Sequence, residues 1–565
     1  ENRIVMASGP LGGTSIMGTG NVSFVMKGAM TNGATTTQAN GFMGAYMKFA
    51  GFDAVIVQGQ SPKWVYIYMH DGTAELRDAE HLLGLDSYEI QDTITEELGK
   101  TERQLSVLGI GPAGEHQVRF AAISGDKGHV ASHNGSGAVM GSKKLKAFVA
   151  ERGKTRFPIA DDKALKARAN MIIEDILANP VAKGAYENGT MNSLAGMVKT
   201  GVLPVKNYTT NLYEGAEKLQ RSAYSQSWEM KPLPCWACRT KHLHMVTIKG
   251  GEFDGYTAEE PEYEQWAAWG SQVGNNDAAS AMVMAVEVDK YGMDTNETGW
   301  VMGWAIECFE KGIITREDTG GIELTWGNVP AIREMLRKIA MREGFGDLLA
   351  EGVKRASEKL GRGSQDMAIY TGKGNSPRGH DHRSRWIEMV DTCISDTGTM
   401  AVGPAWLPQE QGAKANPDMY YWEDLAEQLG KHNGRMMFED SLGICRFTSR
   451  TSMESLAKAV EASTGWEDFT GEEAFAAGRR VSHLLRVFNL RCGITPDLEK
   501  PSKRYGSVPV DGPMQGKDHL YVHWEDIRQR YYELMGWDLK TGRPFPETLK
   551  GAGLADLIPD AWPNQ

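Results

Sequence analysis

The chain changes its hydrophobic period once, near residue 160, and this constrains the fold more than any single motif. Before that point apolar residues come in short, strand-length runs separated by glycine-rich turns. Ala54–Val57, Trp64–Tyr68 and Leu105–Leu108 read as strands, and Asp71-Gly72 as a hairpin turn. One helix interrupts them, Ser87 to Leu98, with Asp86 as its cap and Gly99 as its stop. The run Ala138–Ala147 closes this part, and the polar connection Glu151–Lys154 follows. Beyond it the spacing turns helical and stays so. Asp161–Leu177, Asp277–Tyr291, Glu297–Lys311 and Val329–Arg342 are the clearest helices; 347–360, 422–437, 452–463 and 472–490 continue the pattern. With 565 residues, too many for one core, the expected fold class is α+β: a β-rich base over 1–155, then two predominantly helical domains over 156–365 and 366–565.

Composition removes several function classes. No run of eighteen apolar residues exists, so no helical membrane span is expected. Glu1–Val5 lack the basic and apolar regions of a signal peptide. Six unevenly spaced cysteines do not make a disulfide scaffold and point to a reducing, cytoplasmic setting. A net charge of −12 argues against nucleic acid and anionic membranes as partners. The stretch after Cys238 is locally basic, with Arg239, Lys241, His242, His244 and Lys249. It reads either as a solvated loop or as a docking patch for an acidic electron carrier. No phosphate-cradling loop or dinucleotide fingerprint is present, so direct use of a nicotinamide is not expected.

Three of the six cysteines fall in two short segments, Cys235-x-x-Cys238 and Asp440-Ser441-Leu442-Gly443-Ile444-Cys445. Two thiolates on one turn can share a metal centre. A zinc site from Cys235, Cys238, His242 and His244 is chemically sensible, as is a redox dithiol. Asp289-Lys290-Tyr291-Gly292-Met293-Asp294 repeats the Asp-x-x-Gly pattern of Asp440–Gly443. Each acid stands in the last turn of a predicted helix that a left-handed glycine ends. A carboxylate at the negative helix end costs a few tenths of a kcal/mol or more unless something compensates it. N–H donors of a polar organic ring would do so.

In these motifs the chain resembles the tungsten-containing aldehyde:ferredoxin oxidoreductase family, which includes an aryl-CoA-reducing branch. Ala7–Thr14, Lys48–Ala54, Gly137–Lys143, Glu259–Glu264, Phe488–Arg491 and Tyr532–Asp538 are similar to family segments and follow the same order. The resemblance implies one tungsten, or molybdenum, between two pterins, beside one [4Fe–4S] cluster, with Mg2+ bridging the pterin phosphates. It implies pterin contacts at Asp289, Gly292, Met293, Asp294, Asp440, Gly443 and Ile444, and at Gln38, Asn40, His133, Asn134 and Gly135. The cluster cysteines match Cys235, Cys238 and Cys445; the remaining family cysteine falls on His242, with His244 or a three-ligand cluster as the alternatives. The active-site glutamate matches Glu264, where burial is expected to raise the pKa and let the carboxyl shuttle a substrate proton. Glu262 reads as structural. The family's active-site histidine is unmatched and falls on Ala401; His380 and His382 are the candidates to replace it, against an ordinary surface pair. A basic residue near the pterins appears as Asn21, and a Glu-x-x-His subunit bridge as Val283 and Val286. Family members carry a short segment before the match to Glu1, so the N-terminus is expected to be incomplete.

The resemblance implies an oxygen-sensitive enzyme that oxidises an aldehyde to a carboxylic acid. A ferredoxin or an Fe–S partner subunit would take the electrons, and like or unlike subunits could assemble with it. An aryl-CoA reductase and a zinc-stapled, non-catalytic scaffold are the rival readings. Cys308 and Cys393 read as core, and Cys492 carries no assigned role.

Overall fold

The computed structural model describes residues 2–178, 180, 183–184, 189–403, 414, 417–517 and 520–563; Glu1 lies outside them. Strands β1 (Ile4–Ala7), β2 (Val22–Lys27), β3 (Ala34–Ala39) and β4 (Ala54–Val57) form an antiparallel sheet in the order β3-β2-β1-β4. Along β2, Val22, Phe24 and Met26 are buried while their neighbours are half-buried, the period-2 pattern of a strand with one face on a core. A six-stranded sheet follows, in the order β6-β5-β10-β7-β8-β9. Its strands are β5 (Val65–His70), β6 (Thr73–Asp78), β7 (Leu105–Gly109), β8 (Ile123–Gly125), β9 (His129–Ala131) and β10 (Leu145–Glu151), with β5 and β10 parallel. Asp71 and Gly72 both have positive φ, which fits the β5–β6 hairpin turn. Asp86 caps the Ser87–Glu97 helix by accepting from the Tyr88 and Glu89 N–H groups. Strands β1 to β3 escape the sequence reading because Thr35, Thr36 and Thr37 blur the alternation in β3 and β1 is only four residues long.

The helical reading beyond residue 160 fails over 229–259. There β11 (Glu229–Pro232), β12 (His244–Thr247) and β13 (Thr257–Glu259) pair as an antiparallel sheet. Strands of three or four residues are too short to show a period. Two expected helices also break at glycines. The 347–360 helix divides into Phe345–Leu349 and Val353–Leu360 around Gly352, at φ 82°. The 422–437 helix divides into Trp422–His432 and Arg435–Ser441 around Gly434, at φ 110°. Backbone at these angles is cheap for glycine and ends a right-handed helix. Among the described residues no helix is long and apolar enough to cross a membrane.

Three large cores carry the structure. One lies between the two base sheets, around Phe24, Met43, Met47 and Phe148. A second gathers Trp266, Trp269 and Trp304 with the Ala278–Tyr291, Thr295–Glu310 and Val329–Ala340 helices. The third holds Tyr505, Trp524 and Trp537 near the C-terminus. The first loop of the base is stapled to the segment after Asp440: Leu11 N–H donates to Leu442 O (3.2 Å) and Cys445 N–H to Gly18 O (3.0 Å). Thr448 Oγ1 donates to Met17 O at 2.7 Å. Gly9 and Gly443 meet so closely that a Cβ on Gly9 would fall 2.0 Å from the Leu442 carbonyl carbon.

Candidate active site

The short helix Tyr263–Trp269 organises the site. Glu262 caps it, in extended backbone, and shares a capping box with Gln265. Three side chains of this first turn then reach three different places. Glu262 Oε1 lies 3.4 Å from His242 Nε2. Glu264 Oε2 accepts from Asn296 Nδ2 (3.0 Å), and its Oε1 is ion-paired with Arg378. Gln265 Nε2 donates to Asp289 Oδ2 at 2.7 Å.

Cys235 and Cys238 sit on the loop between β11 and β12, pinned to the base by Trp236. Its N–H donates to Gly41 O (3.0 Å), and its ring packs edge-on to Phe49 at 5.1 Å between centroids. Cys445 arrives from the other side, and all three thiols are half-buried. Each sulfur has an N–H aimed at it: Gly41 at Cys235, Lys241 at Cys238 and Phe447 at Cys445. His129 Nε2 adds a contact to Cys235 Sγ at 3.6 Å. Burial and the two neighbouring thiolates push Cys235 far up, and burial pushes Cys445 up to about 12. At Cys238 burial is outweighed by His242, Thr240 and the Lys241 N–H, which bring it down to about 7. Burial would lower His242, yet Cys238 and Glu262 carry it to about 10. Two thiols that burial keeps from ionising and a third brought down to about 7, each facing an N–H donor, fit a cationic iron–sulfur centre. The zinc set does not assemble among the described residues: no three of Cys235, Cys238, His242 and His244 bring their ligand atoms within 4.8 Å of one another. His244 Nδ1 turns to Glu260 Oε2 at 2.9 Å. The basic patch is left to Arg239, Lys241 and Lys249, since His242 is buried.

Asp289 and Asp440 occupy equivalent places. Gly292 (φ 73°) and Gly443 (φ 72°) end their helices in left-handed backbone. Asp289 O accepts from Ser87 and Ser124 hydroxyls at 3.0 Å each; Asp440 O accepts from Ser23 Oγ and Gln38 Nε2 at 3.2 Å each. Enclosure pushes the Asp289 carboxyl up to about 8, with Gln265 opposing, and the Asp440 carboxyl up to about 7, with Arg446 opposing. Around them lie buried acceptors without a hydrogen-bond partner among the described residues: Asn21 Oδ1, Asn40 Oδ1 and Asn296 Oδ1. Two acids whose charge is disfavoured by enclosure, with orphaned carbonyl oxygens beside them, suit the N–H and amide groups of a pterin. Asn21 Nδ2 bridges Ile444 O (2.9 Å) and Gln38 Oε1 (3.2 Å), which ties β3 to the Asp440 segment. Met293 and Ile444 are core residues that fix the turns. His133 Nδ1 lies 3.5 Å from Asp294 Oδ2; burial would lower this imidazole, but Asp294 raises it. The Asn134 side chain is spent inside the fold, on Thr31, Ala34 and Thr35. A Cβ on Gly135 would lie 2.1 Å from Arg119 O.

At Glu264 the sequence expectation is corrected. Burial does favour the neutral acid, but Arg378, His380 and Asn296 outweigh it and hold the carboxyl at about 2. Arg378 went unnoticed in the sequence; its only signal is the Pro377-Arg378-Gly379-His380 run beside the histidine pair. Gly379 packs on the Glu264 backbone, 3.3 Å from Glu264 Cα to a Cβ placed there. His380 and His382 are no surface pair: they are 4% and 0% exposed and converge on Glu388, also missed. Ala401 lies in an apolar cluster with Ala34, Met437 and Leu485, and its N–H donates to Asp391 Oδ1 at 3.0 Å. Cys308 and Cys393 are core; Cys492 lines a cavity of about 1000 Å³ between the base and the C-terminal helices.

A β-rich base and one helical turn that joins a thiol site, a half-buried Glu–Arg pair and a helix-end acid suit a cofactor-dependent oxidoreductase. Comparison with known proteins agrees. The family descriptions "Aldehyde ferredoxin oxidoreductase, N-terminal domain" and "domains 2 & 3" match residues 1–152 and 167–554. The chain belongs to the aldehyde ferredoxin oxidoreductase family. It is 34% identical over 569 residues to the tungsten-containing aldehyde ferredoxin oxidoreductase of Pyrococcus furiosus, covering 99% of this chain and 91% of that one. It is 28% identical over 583 residues, 98% and 88% of the two chains, to the WOR-like subunit of an aliphatic sulfonate oxidoreductase of the same organism. The fold is shared with the active-site complex BamBC of benzoyl coenzyme A reductase in complex with 1,5-dienoyl-CoA. There the TM-score is 0.83 at 23% identity, over 99% of this chain and 90% of that one.

Proposed function

We propose that the chain is a tungsten (or molybdenum) bis-pterin enzyme that oxidises an aldehyde to a carboxylic acid. Its electrons would pass through one [4Fe–4S] cluster to a ferredoxin or an Fe–S partner subunit. The observation that carries this reading is the first turn of the Tyr263–Trp269 helix, which ties the thiol site, the acid Glu264 and the helix-end Asp289 together. Cys235, Cys238 and Cys445 would hold the cluster, with His242 as fourth ligand oriented by Glu262, as a carboxylate orients a metal-bound imidazole. Asp289 and Asp440 would each accept from one pterin, with His133 and Gln38 beside them; Asn134 and Gly135 would contribute backbone, and Mg2+ would neutralise the pterin phosphates. When bound, the pterin metal supplies two-electron chemistry that the cluster divides into single electrons.

Glu264, ionised and fixed by Arg378 and Asn296, is suited to accept a hydrogen bond and orient the substrate-side O–H rather than to donate a proton. Protein purified without oxygen should contain tungsten or molybdenum and about four irons, and reduce a one-electron dye with aldehydes. Glu264→Gln should keep metal and pterin while turnover falls by about 10²-fold or more. Glu262→Gln should instead alter the cluster's signal and potential, and slow turnover only as far as electrons leave more slowly. Dye-driven reduction of aryl-CoA thioesters with no aldehyde turnover would move the assignment to that branch, which the loss of the family histidine at Ala401 favours.

A further inference from the structure

Among the described residues, His380, His382 and Glu388 are the group of histidine, cysteine or acid ligands whose donor atoms all lie within 4.8 Å of one another. Their side chains are 5%, 0% and 1% exposed. Glu388 Oε2 lies 2.7 Å from His380 Nδ1 and 3.2 Å from His382 Nε2. Its other oxygen accepts from Arg385 Nη1 at 2.9 Å. His382 Nδ1 lies 2.6 Å from the Tyr505 hydroxyl. The backbone is fixed as well: the Tyr208 hydroxyl donates to His380 O (2.6 Å) and accepts from His382 N–H (3.0 Å).

Charge decides between a metal and a proton here. Glu388 is the one anion of the three, and Arg385 already neutralises it. A divalent cation would gain two neutral imidazoles and meet a guanidinium, a poor exchange for its hydration shell. For protons the geometry closes at His380. A carboxylate accepts, so His380 must present Nδ1–H to Glu388 Oε2. His382 Nε2, 3.2 Å from the same oxygen, is not aligned for a hydrogen bond, and its Nδ1 pairs with the Tyr505 hydroxyl. The His380 tautomer leaves its Nε2 as a lone pair turned away from Glu388. The ring stands 5.3 Å from Tyr263, beside Glu264.

We propose that Glu388 is a positioning residue that fixes His380 in the tautomer with Nε2 free, making it a proton acceptor on the side of Tyr263 and Glu264, while Arg385 fixes Glu388. The proposal rests on the oxidative reading above. Oxidation of RCHO with H2O to RCOOH releases two electrons and two protons. The electrons leave to the acceptor; His380 Nε2 takes one of the protons and returns it to solvent before the next turnover, and the other passes directly to water. The resulting imidazolium faces the Glu388 carboxylate, as a buried acid supports a catalytic histidine elsewhere. The other charges facing His380 are Arg385 at the start of the Trp386–Ile394 helix and the paired Arg378 and Glu264 on the Tyr263 side. Asp381 and Arg383 neutralise each other.

Glu388→Gln tests this, because the amide oxygen can still accept from Nδ1–H while the charge is gone. With iron, tungsten and pterin retained, kcat should fall by about 10²-fold and KM should stay within about twofold. The acidic limb of the kcat profile should move to lower pH, since an imidazole without its anion protonates less readily. A purely structural Glu388 predicts a Gln variant with the parental profile, and that result would overturn the proposal. If Glu388→Gln does not load its cofactors, Arg385→Met should move the limb the other way, to higher pH, because it removes the cation that competes for Glu388, and an unmoved limb would overturn the proposal. Histidine-selective 15N labelling, assigned through His380→Asn, reads the tautomer whatever the substrate. Nδ1–H is expected at His380, and Nε2–H would refute the proposal. So would one extra divalent ion per chain, lost in Glu388→Gln. Absence of aldehyde turnover in the parent counts against the oxidative reading and leaves the tautomer result to decide this one.

Discussion

Replacing Arg378 by Met should convert Glu264 from an ionised carboxylate into a protonated one. The parent carboxyl is held at about 2 because Arg378 outweighs burial. Without the guanidinium, burial is opposed only by His380 and Asn296, much as a single partner opposes it at Asp289 and Asp440, which stand at about 8 and about 7. A rise from about 2 to the ordinary 4.5 is already worth ~3 kcal/mol at ~1.36 kcal/mol per pH unit. The two aspartates indicate a further rise toward 7. The sign of the pH dependence follows. A depressed acid stabilises the native state above its unfolded value of about 4.5, and loses that only as pH falls toward 2. Between about pH 5 and 8 the parent Glu264 therefore contributes no slope. In the variant the acid is raised, so its contribution is complete below about 4.5 and is lost as pH climbs through the new value. The parent–variant gap in unfolding temperature should thus widen from about pH 5 to pH 8, by up to ~1.4 kcal/mol per pH unit. Matched scan rates are needed for a chain of this size. Adding Glu264→Gln to Arg378→Met should flatten the slope, and Arg378→Lys should largely restore the parent behaviour. A gap independent of pH would show that Arg378 does not set the charge of Glu264.

Cys445→Ser should abolish the paramagnetic signal of the reduced cluster and lower bound iron; an unchanged signal would remove Cys445 from the site. Asp289→Ala and Asp440→Ala should each lower pterin content after purification, since a buried donor left unpaired costs roughly 1–3 kcal/mol. Full occupancy in both would reduce these acids to packing. His129→Leu should leave iron content intact but lower the cluster's reduction potential, because it removes a donor to the Cys235 sulfur. His129→Gln should recover part of the difference, and equal potentials in all three proteins would discount the contact.

The helix-end acids were legible because their signal is local: a carboxylate three residues before a glycine predicts its own geometry, and Gly292 and Gly443 bear it out at φ 73° and 72°. The long amphipathic helices were legible for the same reason. The sheet β11–β13 was not, since Pro232 and the glycines at 250, 251 and 255 leave no strand long enough to alternate. The charge of Glu264 was illegible because it depends on a partner 114 residues away. Burial alone predicts a raised value, and nothing in the Glu259–Glu264 run announces Arg378. His380 and His382 were visible as residues, but their burial depends on Glu388, Tyr208 and Tyr505 meeting them from three separate segments.

Glu262 caps this helix in extended backbone, and Glu264 and Gln265 follow on its first turn, about 100° of rotation apart. Inserting or deleting one residue between Glu262 and Glu264 would swing the cap against both of them. The contacts to His242, Arg378 and Asp289, on unrelated parts of the chain, could not then all be made. A side-chain replacement, by contrast, breaks one contact and leaves the other two. Divergence among relatives should therefore run through substitutions within this turn and through loops of any length around it. The turn itself should keep its residue count, so that alignment gaps fall on either side of positions 261–266 and not within them.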